Sequence, residues 1–436
     1  MPAEPHSSPS EVVGPVEPDG RKESGRAIWL GAAVVVLACG LLNEARLWRP
    51  ETTFTIKHNV QIAEADAWWH GRLDLAERRW DTALKDGRAY SCYPPLFTFL
   101  AAALWPVFHG VPHWAVVLLV LPIPLLAYVL FRRRTGSAGW GALLAIGLVC
   151  GTSLLPVLDK TLRGASHYYI NHALATIGLL ILLIESFGRR RVWVCGFGLA
   201  VSALSRQLTL AYLLPVAWLA VCGVSGPRGA EASTRHVRTS RVAQAAIAGL
   251  FVVAVLMTMN TLKFGRPWDS GYAHIFNERS GDRFADDVAA HGLFSVHYVP
   301  RNLYYMNFGF PEVHRIEMAG ESQVHLRPNT MGTGIWWTTP LLLWLFVGLR
   351  RLAADPLSRW YLVGAVLVVA VLLFYHNTGA QQRGFNRFSL DYIPVLLALV
   401  APWCVAGRRR WITVAMVAFG VWYFRFWLAW PHVRIW

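Results

Sequence analysis

Charged side chains are scarce in this 436-residue chain, at 15% of the total, where a soluble domain carries about a quarter. Hydrophobic residues make up 55%, so an ordinary water-soluble globular fold is excluded. The six cysteines (Cys39, Cys92, Cys150, Cys195, Cys222 and Cys404) are scattered, five of them inside apolar runs, and none forms a CxxC pair. That spacing implies neither a zinc site nor a disulfide framework. The chain also lacks a P-loop, a GxGxxG after a strand, an HExxH and a GxSxG, the signatures of common nucleotide, metal and serine chemistries. The "ADD" at 285–287 is not a DxD motif, and the fifteen histidines show no ligand spacing. No metal ligand is therefore assigned, no cofactor is called, and a divalent metal has no motif to hold it.

What is present is a series of long apolar runs. "AIWLGAAVVVLACGLL" (27–42) and "AVVLLVLPIPLLAYVLF" (115–131) are long enough to cross most of a bilayer, and such runs recur down the chain. The "VLAC" at 36–39 fits a lipoprotein cleavage box poorly and reads as part of an uncleaved first span. The net charge of +15 does not mark a nucleic-acid face, because the basic residues come in bursts between apolar runs. "RRR" stands at 132–134, 189–191 and 408–410, "RR" at 350–351, and four more arginines lie in 226–241. Bursts of this kind mark cytoplasmic loops. Residues 1–26, rich in Pro, Glu, Ser and Gly, read as a disordered cytoplasmic N-terminus. From 27 to 436 the chain reads as one transmembrane domain.

The parity of the spans turns on "PPLFTFLAAALWPVFHG" (94–110). If this run crosses the membrane, every later arginine burst falls outside. If it dips in and returns, all the bursts fall inside together with the basic N-terminus, as the positive-inside rule requires. Pro94, Pro95 and Pro106 also favour a broken helix. The reading is an all-α polytopic membrane protein with about eleven spans. Two structured outer-face loops, 44–112 and 263–332, then carry interfacial helices and the re-entrant segment. Both loops are polar-aromatic mixtures, with "WWHG", "YSCYPP", "WDSGYAHIF" and "HYVPRNLYYMNFGF", and loops of that kind carry function.

Within the first loop, "ADAWWHGRLDL" (65–75) is expected to lie in an interfacial helix from Asn59 to about Leu75. At 100° per residue, Asp66 shares a face with Ile62, Trp69 and Leu73, with His70 at its edge, while Glu64 and Arg72 point to water with Gln61. A carboxylate on the buried face of a membrane-associated helix is a candidate for function, and desolvation raises its pKa toward that of a general base. Asp66 is the first candidate base, with Glu64 and Glu44 behind it; pairing with His70 or Arg72 is the structural alternative. Other boundary charges are Asp159, Lys160, Arg163, Arg206, Arg387 and Asp391. Arg206 and Arg387 are suited to hold a phosphate at headgroup level. Asp391, His70, Arg301 and Lys160 complete the candidate substrate contacts.

The ordered set "AEADAWWHGRLDL", "YSCYPPLFTFLAA", "GFGLAVSALSRQLTLAYLLP", "GTGIWWTTPLLL" and "RGFNRFSLDYIPVLLAL" resembles the GT-C membrane glycosyltransferases of the protein O-mannosyltransferase and aminoarabinose-transferase type. The resemblance runs through most of the chain, and its strength lies in order and topology, since no single motif is diagnostic. It implies a polyprenyl-phosphate sugar donor, transfer on the periplasmic or lumenal face, a first-loop carboxylate as base, and basic residues holding the departing lipid phosphate. On that pattern Arg206 takes the place of the basic residue after the "GLA" helix. The chain departs from the family in one place. Many members carry an acid some fifteen residues before the glycine matching Gly71, where this chain has "TIKHNVQ".

The expectation is a hexosyltransferase-type enzyme of the bacterial inner membrane that glycosylates a lipid, glycan or protein hydroxyl of the cell envelope, with no role for nucleic acid. The alternatives are a transporter or flippase of lipid-linked saccharides, and a non-catalytic protein of the same fold. Inverted repeats and midplane breaks would mark a transporter; the sequence shows no convincing internal symmetry.

Overall fold

The computed structural model of the chain describes residues 22–42, 52–79, 81–164, 166–222, 231–277, 283–318, 321–379, 384–407, 409–429 and 433–434. The expected disordered stretch 1–26 lies mostly outside these residues, and its end, from Lys22, is already helical. Glu44 also lies outside them.

The first helix, α1 (Lys22–Leu41), precedes the first loop, which holds strand β1 (Thr53–Phe54), helix α2 (Val60–Trp69), the hairpin β2 (Ala83–Lys85) and β3 (Arg88–Tyr90), helix α3 (Leu96–Phe108) and strand β4 (Val111–Pro112). Next come α4 (His113–Val120), α5 (Pro122–Thr135), α6 (Ala138–Cys150), α7 (Leu154–Gly164), α8 (His167–Ser186), α9 (Val192–Ala203), α10 (Leu213–Cys222) and α11 (Glu231–Phe264). The second loop holds α12 (Arg283–His291), α13 (Val299–Asn307), β5 (Glu312–Met318) and β6 (Glu321–Arg327). The chain closes with α14 (Ile335–Thr338), α15 (Trp344–Ala354), α16 (Pro356–Phe374), α17 (Ile393–Cys404), α18 (Arg409–Ala429) and β7 (Val433–Arg434). The sheets are small and antiparallel: β1 with β4, β2 with β3, and β5–β6–β7.

Among the described residues five helices are long and apolar enough to cross a membrane, or six if the pair α6 and α7, bent by 61°, counts as one broken span. Hydropathy marks eleven such runs, and the difference has local causes. The run 192–206 is helical only as α9, and the run 388–406 opens as a 3-10 turn, Arg387–Asp391, before α17 begins. The run 333–349 is divided among α14, a 3-10 turn at Pro340–Leu343 and α15, where Pro340 supplies no amide to continue a helix.

The bundle is polarised. Arg133 donates to the Ile184 carbonyl at 3.0 Å and Arg134 to Ala398 at 2.9 Å, while Arg241 donates to the carbonyls of Arg190 and Leu219 at 3.2 and 3.0 Å. These contacts gather the bursts at 132–134, 189–191 and 226–241 at one end, and Ile184 and Leu219 lie in the closing turns of α8 and α10, where a cation is favoured. The two loops gather at the other. The backbone amide of Leu96, at the start of α3, bonds Leu204 at 3.1 Å, and β4, just after α3, pairs with β1. Both ends of α3 therefore lie at the loop end, since α4 and α5 run from there to the arginines. Tight helix contacts fix the core: a Cβ on Gly178 of α8 would meet Gly198 O and Ser202 N of α9 at 2.5 Å.

Candidate active site

A cavity of about 420 Å³ opens at the loop end. The first loop contributes Asp81, Tyr93 and Pro94; the first turns of α8 contribute His167, Tyr168, Asn171 and His172. The break between α9 and α10 contributes Ser205, Arg206, Gln207 and Leu208, and Arg387 and Phe388 come from the turn before α17. The second loop supplies a largely apolar wall including Tyr272, Phe276 and Phe294, and the end of α16 supplies Leu372, followed by Tyr375, His376 and Asn377.

Local sequence explains how these groups are held. The hairpin turn is Asp86–Gly87, with φ of 53° and 73°, the left-handed pair a two-residue hairpin needs. Its register sets Ala83 opposite Tyr90, which carries Asp81 and Tyr93, just outside the hairpin on its two arms, to the same cavity wall. The α9 helix ends at Ala203, and the Arg206 backbone becomes extended, with φ −144° and ψ 98°.

The charges divide into a locked pair and an open group. Arg206 Nε donates to both Asp391 oxygens at 3.1 and 3.2 Å, and its Nη2 donates to Oδ2 at 2.7 Å. His172 Nδ1 stands 3.7 Å from Asp391 Oδ1 and neither of its ring nitrogens has a hydrogen-bond partner, so Arg206 is the group that pairs this buried carboxylate. The Arg206 charge is therefore compensated before any ligand arrives.

Arg387 differs. Only 8% of the residue is exposed, its Nε has no hydrogen-bond partner, and among the described residues it forms no ion pair. Its guanidinium lies over Tyr168, Phe388 and Tyr169 at 5.4, 5.2 and 6.0 Å from the ring centres. Burial pulls its pKa below the ordinary value, but arginine starts so high that the group stays charged. A buried cation stacked on aromatic rings and lacking a carboxylate can receive an anion.

Among the described residues Asp81 is the one carboxylate in the cavity wall. Its Oδ2 stands 3.9 Å from His167 Nε2, and neither His167 ring nitrogen has a hydrogen-bond partner. His167 lies against the rings of Tyr168 and Tyr93, at 4.1 and 4.6 Å. Burial and the nearby carboxylate push the Tyr93 phenol upward, so it stays protonated.

The other sequence candidates lie elsewhere. Helix α2 ends at Trp69 and the chain turns at Gly71, φ 68°, well short of Leu75. The face assignment is reversed. Glu64, expected in water, is fully buried, paired with Lys263 of α11 and accepting from Thr98 at 2.7 Å. Asp66, expected on the buried face, is partly exposed and pairs with His70 at 3.2 Å, away from the cavity. A surface-helix projection fails here because α3, the hairpin region and α11 cover the side that periodicity assigns to water. Arg301 pairs with Asp287 at 2.6 Å and, with Lys160 on α7, is outside the cavity lining. Asp391 is wholly buried behind Arg206. Among the sequence candidates, Arg206 and Arg387 reach the cavity, while Asp81, His167 and Asn171 were missed. The "KDGR" turn was the available signal for Asp81. Among the described residues no group of three or more His, Cys, Asp or Glu is placed to hold a metal ion.

No protein-family model matches the chain, and no curated protein matches its sequence. Several solved structures are similar to it in three dimensions. The crystal structure of ArnT from Cupriavidus metallidurans bound to undecaprenyl phosphate shares 11% identity at a TM-score of 0.45, over 90% of this chain and 62% of that one. The apo oligosaccharyltransferase of Archaeoglobus fulgidus shares 13% at 0.48, over 92% of this chain and 55% of that one. The chain thus spans less than two thirds of the length of either.

Proposed function

We propose that the protein is an integral-membrane glycosyltransferase that moves a sugar from a polyprenyl-phosphate carrier to an acceptor hydroxyl on a lipid, glycan or protein. The observation that carries this reading is the placing in one aromatic cavity of Arg387, a cation that has no carboxylate partner among the described residues, and Asp81, the one carboxylate among the described lining residues. The sequence resemblance to GT-C transferases points the same way. The cavity lies at the end of the bundle away from the arginine bursts, so under the positive-inside rule it faces the periplasmic side of a bacterial inner membrane.

In this mechanism Asp81 takes the acceptor hydroxyl proton as its oxygen attacks the anomeric carbon. The bond from that carbon to the phosphate oxygen breaks, and the electron pair leaves with the polyprenyl phosphate. Configuration at the anomeric carbon inverts, and the proton stays on Asp81. Arg387 stabilises the charge that grows on the phosphate. Tyr93, Tyr272 and Tyr375 offer ring faces for a sugar.

The test is transfer of radiolabel from polyprenyl-phosphate sugars to membranes by purified protein. Asp81→Asn should lower turnover about 10²–10⁴-fold, the usual contribution of a positioned base, while Asp66→Asn stays close to wild type. Full activity in Asp81→Asn, or loss confined to Asp66→Asn, overturns the assignment. Movement of intact labelled lipid across proteoliposomes without transfer supports the transporter instead.

A further inference from the structure

Helix α2 has no residue in the cavity lining, yet one face of it holds the cavity together. Gln61 is fully buried and Asn171 is 3% exposed. Gln61 Nε2 donates to the Pro94 carbonyl at 2.7 Å, and Asn171 Nδ2 donates to the His167 carbonyl at 3.0 Å. Both partners are backbone carbonyls, which only accept, so they fix which end of each amide is nitrogen. The remaining contact follows: Gln61 Oε1 accepts from Asn171 Nδ2 at 2.9 Å. Gln61 thus ties the first-loop wall at Pro94 to the α8 wall at Asn171, and Asn171 is left with a carbonyl oxygen that has no donor. Three residues along the same face, Glu64 braces the next stretch through Lys263, whose Nζ donates to Ser91 O at 3.0 Å, two residues before Tyr93.

We infer that Gln61 is a positioning residue of the active site, acting through Asn171 and Pro94 to set the spacing of the sugar-binding walls. The inference rests on the transferase reading above. A residue that acts in this way changes donor affinity more than the chemical step, and its effect disappears once the wall residue it holds is removed. A residue that only stabilises the fold lowers the unfolding temperature when it is replaced and leaves the donor KM unchanged.

The experiment measures KM and kcat for a polyprenyl-phosphate sugar with wild type, Gln61→Leu, Asn171→Ala and the double variant, alongside thermal unfolding in detergent. Gln61→Leu should raise donor KM about tenfold with kcat nearly unchanged, a loss of uniform binding. Asn171→Ala should match it, and the double variant should be no worse than either. Gln61→Glu keeps an oxygen facing Asn171 but sets an acceptor against the Pro94 carbonyl, so it should raise donor KM as well; Asn171→Ala carries the test if the Gln61 variants do not fold. Additive losses in the double variant, or a wild-type KM in Gln61→Leu or Gln61→Glu, overturn the inference while leaving the transferase reading intact. If wild type consumes no donor at all, that reading falls first and this one with it.

Discussion

At the scale of single residues, two arginines of similar appearance in the sequence have opposite electrostatic states. Arg206 is neutralised by three hydrogen bonds to Asp391, whereas Arg387 has only ring faces around it. Arg387→Ala should therefore cost donor affinity with little loss of stability, read as a raised KM beside an unchanged melting temperature. Asp391→Asn should do the reverse. It leaves the Arg206 cation unpaired in a buried site, and breaking such a pair costs about 3 kcal/mol or more, measurable as a lowered melting temperature in detergent. Nothing in a linear sequence distinguishes the two arginines, because the pairing joins residues 185 positions apart.

At the scale of elements, the α8–α9 contact and the β2–β3 hairpin carry the site. Glycines at 178 and 198 allow the two backbones to approach until a Cβ has no room. Gly178→Leu should force the helices apart and destabilise the protein by at least about 1–3 kcal/mol, seen in the same unfolding assay. The hairpin gives a subtler case. Gly87 sits at φ 73° with open space around its Cα, so Gly87→Val strains the turn without a clash, and Asp81 shifts with it. The outcome expected is reduced kcat, measured in the transfer assay. Helix α2 shows where periodicity stops being informative. Its register follows from Asn59, which caps it by accepting from the Gln61 amide at 2.6 Å, but a projection assumes one wet face, and α2 is packed on nearly all sides until its last turn.

At the scale of the whole molecule, the docking of the second loop onto the end of α16 sets a pH dependence. Asn302 of α13 donates to the carbonyls of Leu372, Leu373 and Tyr375, and His376 is buried beneath Phe276 and Phe284. Burial, then the neighbouring Arg301 charge, lowers the His376 pKa from 6.5 to about 3. A histidine depressed in the folded state adds stability that is complete above its unfolded pKa and is lost as pH falls from 6.5 toward 3. Asp287, bonded to Arg301 across the same junction, faces it as the opposing charge. His376→Gln should flatten the fall of melting temperature between pH 6 and pH 4 (about the window of the shift), compared with wild type.

The sequence by itself determined that this is a helical membrane protein, that its arginines gather in bursts between apolar runs, and that two aromatic loops interrupt those runs. These are properties of local composition, and local composition is sufficient to partition a segment between lipid and water. It also named Arg206 and Arg387, since a cation at the edge of an apolar run stands out. Tertiary structure alone decided which acid faces the cavity. Glu64, Asp66 and Asp81 lie within 18 positions of one another, and each is fixed by a different partner: Lys263 from α11, the adjacent His70, and a cavity shared with α8. Burial of a carboxylate depends on what covers it, and here the cover comes from chain that is distant in sequence.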